Sequence, residues 1–316
     1  MIQSPCLSGT AVTESLLVPV DTGNKQIKTP RHIFTAGLTC HDSYPPFGKD
    51  VIQYKGKYYT LSDQRVPYMR DKTADERYFI LSLFGIACEL RDAGLDTEER
   101  VNIVLLLGLP PAHFGTQEER YRSYFHEYGQ IDFRFNDRSV FLFISEVRVY
   151  PQAYAAVAPM ISQLQGYSKA LVVDIGGYTA DILKISSGML DLSVCDSLEY
   201  GTINFYNLAI KRINSTFDLL LDENDIDTVL RGGNSLLEEP VAMQITKMAR
   251  EFVEDFFNRL REQGIDLKTY YTVFVGGGSI LFRPLIESSD KLGRCTFVEE
   301  IKSNAIGYQR LYQLGL

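Results

Sequence analysis

The sequence predicts a mixed α/β protein built from two sheet-based units. Three observations carry this reading. Strand and helix patterns mix in both halves of the 316-residue chain, a length that fits two domains of ordinary size. An apolar strand that ends in Asp, turns on Gly and returns occurs twice, in VPVDTGNKQIK (18–28) and LVVDIGGYTADILK (171–184). A further buried strand runs straight into Gly276, Gly277 and Gly278.

Taken in order, residues 16–21 (LLVPVD) read as a strand, with a return strand near 26–38. Pro19 inside the first strand predicts an edge or a bulge, since Pro has no N–H to donate. Residues 51–62 (VIQYKGKYYTLS) read as a hairpin turning at Lys55-Gly56. Residues 73–94 carry helical apolar spacing, with Thr73 and Glu76 as a capping box and Gly94 as the stop. A buried strand follows at 101–107, then a helix from Thr116 to Tyr128, opened by a second box (Thr116 with Glu119) and ended by Gly129. The strands IDFRF and SVFLFISEVRVY join at Asn136-Asp137, and residues 151–164 read as a helix with Pro151 in its first turn. In the second half, strands are expected at 170–175, 180–186, 190–195 and 271–275. Helices are expected at about 202–214, 222–231, 240–263 and 304–314, with one more after the glycines, capped by Ser279.

Composition narrows the function classes. Hydrophobic residues make up 45% and charged residues 23%, as in a globular protein with a real core. A net charge of −8 excludes a surface built to neutralise nucleic-acid phosphates, so any link to DNA would run through another protein or a local patch. The five cysteines are scattered without C-x-x-C spacing, which argues against a disulfide framework or a zinc site and for a reducing compartment. The first 20 residues lack a basic segment and a long apolar core, so no signal peptide is expected. The apolar run VNIVLLLGLPPA is too short and too broken to span a bilayer. Together these features predict a cytoplasmic protein without a membrane partner.

The Asp-Gly hairpins carry the chemistry. A strand that turns on Gly exposes consecutive backbone N–H groups, tolerates positive φ and lets a ligand approach closely. A carboxylate beside such a phosphate cradle repels phosphate unless hydrated Mg²⁺ stands between them. Two such hairpins facing each other would clamp a polyphosphate. The triple glycine follows neither G-x-G-x-x-G nor Walker A spacing, but it permits close packing of a flat or charged ligand.

In this order the pieces VDTGNKQIK, EVRVYPQAYAAVAP, VVDIGGYTADI, VFVGGGSILF and SNAIGYQRLYQLG resemble the two phosphate hairpins, the connecting helices and the adenosine loop of the actin, Hsp70 and hexokinase superfamily. Within it the chain looks most like the ParM-type bacterial actin-like ATPases of plasmid segregation, on DTGNKQIKT, VLLLGLP and DIGGYTADI. The resemblance implies the actin-like ATPase fold, with two RNase H-like domains and a nucleotide cleft between them. Domain I would span residues 1–165, completed by a C-terminal helix at 304–316, and domain II residues 166–303. It implies ATP and Mg²⁺ as cofactors, slow hydrolysis, polymerisation of the chain with itself into a head-to-tail filament, and coupling to plasmid DNA through a DNA-bound adaptor protein.

Residue roles follow from the same resemblance. Asp21 and Asp174 would hold Mg²⁺ through water. Thr22, Gly23, Asn24, Gly176, Gly177, Tyr178 and Thr179 would line the phosphates, with Lys28 facing them. Gln152 would orient the attacking water from the first connecting helix. Gly276, Gly277 and Gly278 would pack on the adenosine, and Asp181 matches a position near the hinge. Tyr178 stands where many relatives have Thr or Ser, which implies a phosphate hydroxyl lost or moved; Gln152 stands where ParM has Glu, which implies slow turnover. Two other functions stay open on the same fold: a small-molecule kinase, for which no acidic base stands out, and a nucleotide-binding scaffold that does not polymerise.

Overall fold

The computed structural model describes residues 15–69, 71–94, 99–186 and 189–316. The signal-peptide reading of the N-terminus, and Cys6, lie outside the described residues. The four described cysteines are free.

β1 (Leu16–Thr22) opens the first sheet. The expected single return strand is instead three short ones, β2 (Gln26–Lys28), β3 (Ile33–Thr35) and β4 (Leu38–His41). Pro30 interrupts the ladder, and at Gly37 the chain passes so close to the Ser62 carbonyl that a Cβ would collide with it. β5 (Val51–Tyr54) and β6 (Lys57–Leu61) form the expected hairpin. Its turn needs two positive-φ residues, supplied by Lys55 (48°) and Gly56 (78°).

α1 (Arg77–Asp92) starts later than expected, because the capping box does not form. The Thr73 hydroxyl donates to Asp71, and the Glu76 carboxylate accepts from Lys55. Gly94 ends the helix at φ 69°. β7 (Val101–Leu109) is followed by α2 (Pro111–His126), which begins at Pro111, so Thr116 lies inside the helix with its hydroxyl on the His113 carbonyl. The second box is therefore also absent. A missing N–H is harmless in a first helical turn, which is why Pro111 serves as the start.

β8 (Gln130–Phe135) and β9 (Arg138–Pro151) join at Asn136, φ 55°. β9 runs through Pro151, so the helix expected from that residue is delayed to a 3-10 helix, Ala155–Met160, and the single turn α3 (Ile161–Leu164). Pro159 removes a donor that a continuous α-helix would need there. The first sheet has the order β3-β2-β1-β7-β9-β8-β5-β6-β4. Pro19 pairs only with β7, since β2 meets β1 only at Asp21 and Thr22; its other side is an edge, as expected.

The second sheet has β10 (Ala170–Ile175), β11 (Ala180–Ser186) and β12 (Met189–Leu198) in antiparallel succession. Then come α4 (Thr202–Phe217), α5 (Glu223–Leu230) and α6 (Glu239–Glu262). α5 has a capping box that the sequence reading passed over, Asp222 with Asp225. α6 buries Val241, Ile245, Met248, Ala249, Val253, Phe256, Phe257 and Leu260, one apolar stripe at helical spacing. β13 (Tyr271–Val275) leads directly into α7 (Gly276–Leu281), then α8 (Arg283–Glu287) and β14 (Cys295–Phe297). Ser279 does not cap α7: its hydroxyl lies inside the helix and donates to the Val275 carbonyl. The sheet order is β12-β11-β10-β13-β14.

α9 (Ser303–Gln313) returns to the first half and packs on the 3-10 helix, β1 and β7. Two glycines allow the approach. A Cβ on Gly307 would strike the Ala155 carbonyl, and one on Gly108 the Tyr308 hydroxyl. This closeness fixes Asn304, at the start of α9, beside the ends of β1 and β10.

Candidate functional site

Every residue of β10 is buried, Asp174 included. A carboxylate in a strand of this kind is costly unless partnered. Asp174 Oδ2 accepts from Asn304 Nδ2 at 2.8 Å, and Asn304 Oδ1 accepts from the Ala153 backbone N–H at 3.0 Å. Across from it, Asp21 at the end of β1 accepts from Gln152 Nε2 at 2.8 Å and pairs with Lys28 Nζ at 3.7 Å. α9 and the end of β9 thus hold two buried carboxylates that close two different sheets. Burial raises the Asp174 carboxyl above its usual range; the Lys28 charge and the Asn304 bond oppose this, and the nearby Asp21 carboxylate adds to it.

The two hairpins converge. A Cβ on Gly177 would lie 2.6 Å from Lys25 Cβ, so the turns nearly touch across a cleft of about 1040 Å³. Asp21, Gly23, Asn24, Lys28, Gln152, Asp174, Gly176, Gly177, Tyr178, Thr179, Asp181, Gly277 and Gly278 all line this cleft. Two expected residues do not. Thr22 is fully buried with its hydroxyl 2.6 Å from the Tyr121 hydroxyl, on the far side of the strand. Gly276 turns at φ 86° behind Asp174, where a Cβ would collide with Oδ1. The reason for the hairpin glycines also changes: Gly23, Gly176 and Gly177 are absent from the positive-φ residues, and close approach is what they provide. Gln152 sits in the turn after β9 rather than in a helix.

Other cleft residues were not singled out from sequence. Lys25 Nζ donates to the Tyr206 hydroxyl at 3.0 Å, which in turn donates to Asp227. Arg65 makes a two-pronged pair with Glu223 of α5, at 2.8 and 2.6 Å. The rings of Tyr68 and Tyr178 stack with centroids 4.3 Å apart. These three contacts tie the first half of the chain to the second across the cleft. Lys72 is buried with its ammonium on the Thr22 carbonyl; burial pulls its pKa down to about 8, while Asp21 and Asp181 pull it upward. Burial, and next the Asp174 charge, push Asp181 up to about 7. Tyr178 and Asp181 were expected here; no local pattern marks Lys25, Arg65, Tyr68 or Lys72, because each acts through a partner far away in sequence.

The donor set fits a magnesium polyphosphate. The buried Thr202 hydroxyl, on the cleft wall, has no hydrogen-bond partner among the described residues. A Cβ on Gly277 would meet nothing within 4 Å, so the loop offers bare backbone to a ligand. Among the described residues no three His, Cys, Asp or Glu side chains converge as direct metal ligands. Two carboxylates suit a cation that keeps its water shell. Among the described residues no helix is long and apolar enough to cross a membrane.

Residues 172–288 match the family described as the C-terminal part of the archaeal actin homologue MreB-like proteins. No curated protein matches the sequence. Among solved structures, the archaeal actin homologue Ta0583 superposes with a TM-score of 0.72 at 17% identity, over 95% of this chain and 100% of that chain. Its complex with ADP gives 0.70 at 18% identity, over 95% and 99%. A 15-stranded ParM filament from Clostridium botulinum gives 0.72 at 15% identity, over 95% and 99%. ParM of Bacillus thuringiensis with AMPPNP gives 0.63 at 14% identity, over 95% and 98%. The chain has the actin-homologue fold, and residues 172–288, within the second half, match the archaeal MreB-like family.

Proposed function

We propose that the chain is an actin-like ATPase that binds ATP with Mg²⁺ in this cleft and assembles head to tail into filaments. The observation that carries the reading is the convergence of two Asp-Gly hairpins, one from each sheet, on a single cleft. The expected division into residues 1–165 with the C-terminal helix, and 166–303, fits the two sheets and the docking of α9 on the first. Solved structures of similar fold, which include complexes with ADP and AMPPNP and a filament, point the same way.

In this reading Asp21 and Asp174 receive the water shell of Mg²⁺, which neutralises phosphate charge when bound. Lys28 and the backbone of Gly23, Asn24 and Gly176–Thr179 take phosphate oxygens. Gly277 and Gly278 face the nucleoside. Gln152, tethered to Asp21 through its amide nitrogen, orients the attacking water. An amide cannot take the proton as a base, so positioning and electrostatics carry a slow hydrolysis. With ATP bound the cleft is held shut, and one closed subunit presents surfaces that fit the next; such heterologous contacts build open filaments. Loss of the terminal phosphate loosens them. Coupling to plasmid DNA through a DNA-bound adaptor, in the cytoplasm, completes the proposal and agrees with the net charge of −8.

The test is sedimentation and electron microscopy of the protein with Mg²⁺ and ATP, ADP or no nucleotide. Filaments with ATP and fewer with ADP are expected. No assembly would favour the other readings: ADP release that needs a small-molecule acceptor would point to a kinase, and ATP binding without turnover to a scaffold.

A further inference from the structure

In sequence, Lys72 lies in a polar loop, DKTADER, where lysines are ordinarily solvated. In the structure it is only 8% exposed and lines the cleft. An ammonium has three N–H donors, and the one acceptor found for it is the Thr22 backbone carbonyl. The other cations on the cleft wall are engaged by side chains: Lys28 by Asp21, Arg65 by Glu223, Arg231 by Asp227 and Lys25 by the Tyr206 hydroxyl. Lys72 faces the Tyr78 ring, 5.3 Å from its centroid, and among the described residues has no carboxylate within ion-pair distance.

A buried charge left this way is costly unless something else completes it. The position of Lys72 indicates what. It rests on the first hairpin through Thr22. It shares with Thr179 of the second hairpin both the main cleft and an adjoining recess of about 140 Å³. It therefore stands beside both hairpins, in a recess that Asn24 and Thr179 line and that Lys25, Tyr206 and Asp227 do not. An anion gripped by both hairpins would bring oxygens to its spare N–H donors.

We propose that Lys72 is a ligand for the terminal phosphate of the bound nucleotide and sets the preference for triphosphate over diphosphate. This rests on the nucleotide reading of the cleft. Lys72 contributes a charge-assisted hydrogen bond that a diphosphate is too short to receive.

The test is calorimetric titration of the full chain, and of its Lys72→Met and Lys72→Gln variants, with Mg²⁺·AMPPNP and Mg²⁺·ADP. Loss of one charge-assisted bond predicts AMPPNP affinity lower by about 10–100-fold, with ADP affinity within about threefold of the parent. Lys72→Arg, which keeps the charge, recovers part of the AMPPNP affinity. Unchanged AMPPNP affinity in the neutral variants overturns the proposal, and so does an equal loss for both nucleotides, the mark of a structural role. If only Lys72→Met fails to fold, Lys72→Gln decides, since its amide still offers a donor toward Thr22. If both fail, the burial of Lys72 serves folding and the proposal falls. A parent chain that binds neither nucleotide overturns the cleft reading itself, whereas a parent that binds both beside unaffected variants overturns only the role of Lys72.

Discussion

Substituting Gly177 by Ala tests the clamp without touching a carboxylate or a cation. The added methyl would lie 2.6 Å from Lys25 Cβ and 3.2 Å from Ile203 Cδ1. Carbon atoms rest about 3.5–4.0 Å apart, so the two hairpins must separate by about 1 Å. Forced overpacking of this size costs about 1–3 kcal/mol. The hairpin contact spans an open cleft, so the free protein can relieve the clash by opening. The cost then falls on nucleotide binding, which needs the closed form, and Mg²⁺·AMPPNP affinity should drop about 10–100-fold with little change in melting temperature. Gly176→Ala is the control, because its methyl would meet only the Thr179 carbonyl, at 3.3 Å. Calorimetric titration of both variants decides. If Gly177→Ala binds within twofold of the parent, or if Gly176→Ala loses as much, the clamp does not close as argued.

Other substitutions probe the supporting parts. Asp174→Ala should lower ATP turnover by about 100-fold or more. Since burial raises this carboxyl's pKa, the same change should leave melting at pH 8 unchanged or higher; a clear drop would contradict that assignment. Gly307→Ala drives a methyl into the Ala155 carbonyl and should cost about 1–3 kcal/mol in urea unfolding while displacing Asn304 from Asp174; an unchanged midpoint would show that α9 docks more loosely than described. Asp181 reaches about 7 in the folded protein against 3.8 for the free group, so the folded state keeps a proton that the unfolded chain releases. Stability then declines as pH rises from about 4 to 7, by at most about 4 kcal/mol. Asp181→Asn should raise the melting temperature at pH 8 and not at pH 4, and equal effects at both would refute the shift.

Where a residue's role is set by its neighbours in sequence, the reading held. The turns at Lys55-Gly56 and Asn136, the strand around Asp174 and the α6 stripe follow from local steric preference and periodicity. Both expected capping boxes failed, each for its own physical reason. Glu76 and Thr73 found tertiary or nearer partners in Lys55 and Asp71, and Pro111 began α2 before Thr116 could. In the site, the two aspartates and the hairpin glycines were legible because the strand-Asp-Gly-strand pattern repeats, and Gln152 only through the family resemblance. Lys72, Asn304 and the Arg65–Glu223 pair were not, since what brings each to the cleft is a contact between distant segments. The displaced Thr22 shows the converse: the right neighbourhood does not say which side of the strand a hydroxyl takes.

A crystal structure of the chain with Mg²⁺·AMPPNP tests the central claim most directly. The account predicts one nucleotide with its phosphates between Asp21–Asn24 and Asp174–Thr179 and the metal's waters on Asp21 and Asp174. A nucleotide bound to one hairpin alone, or outside this cleft, would contradict it.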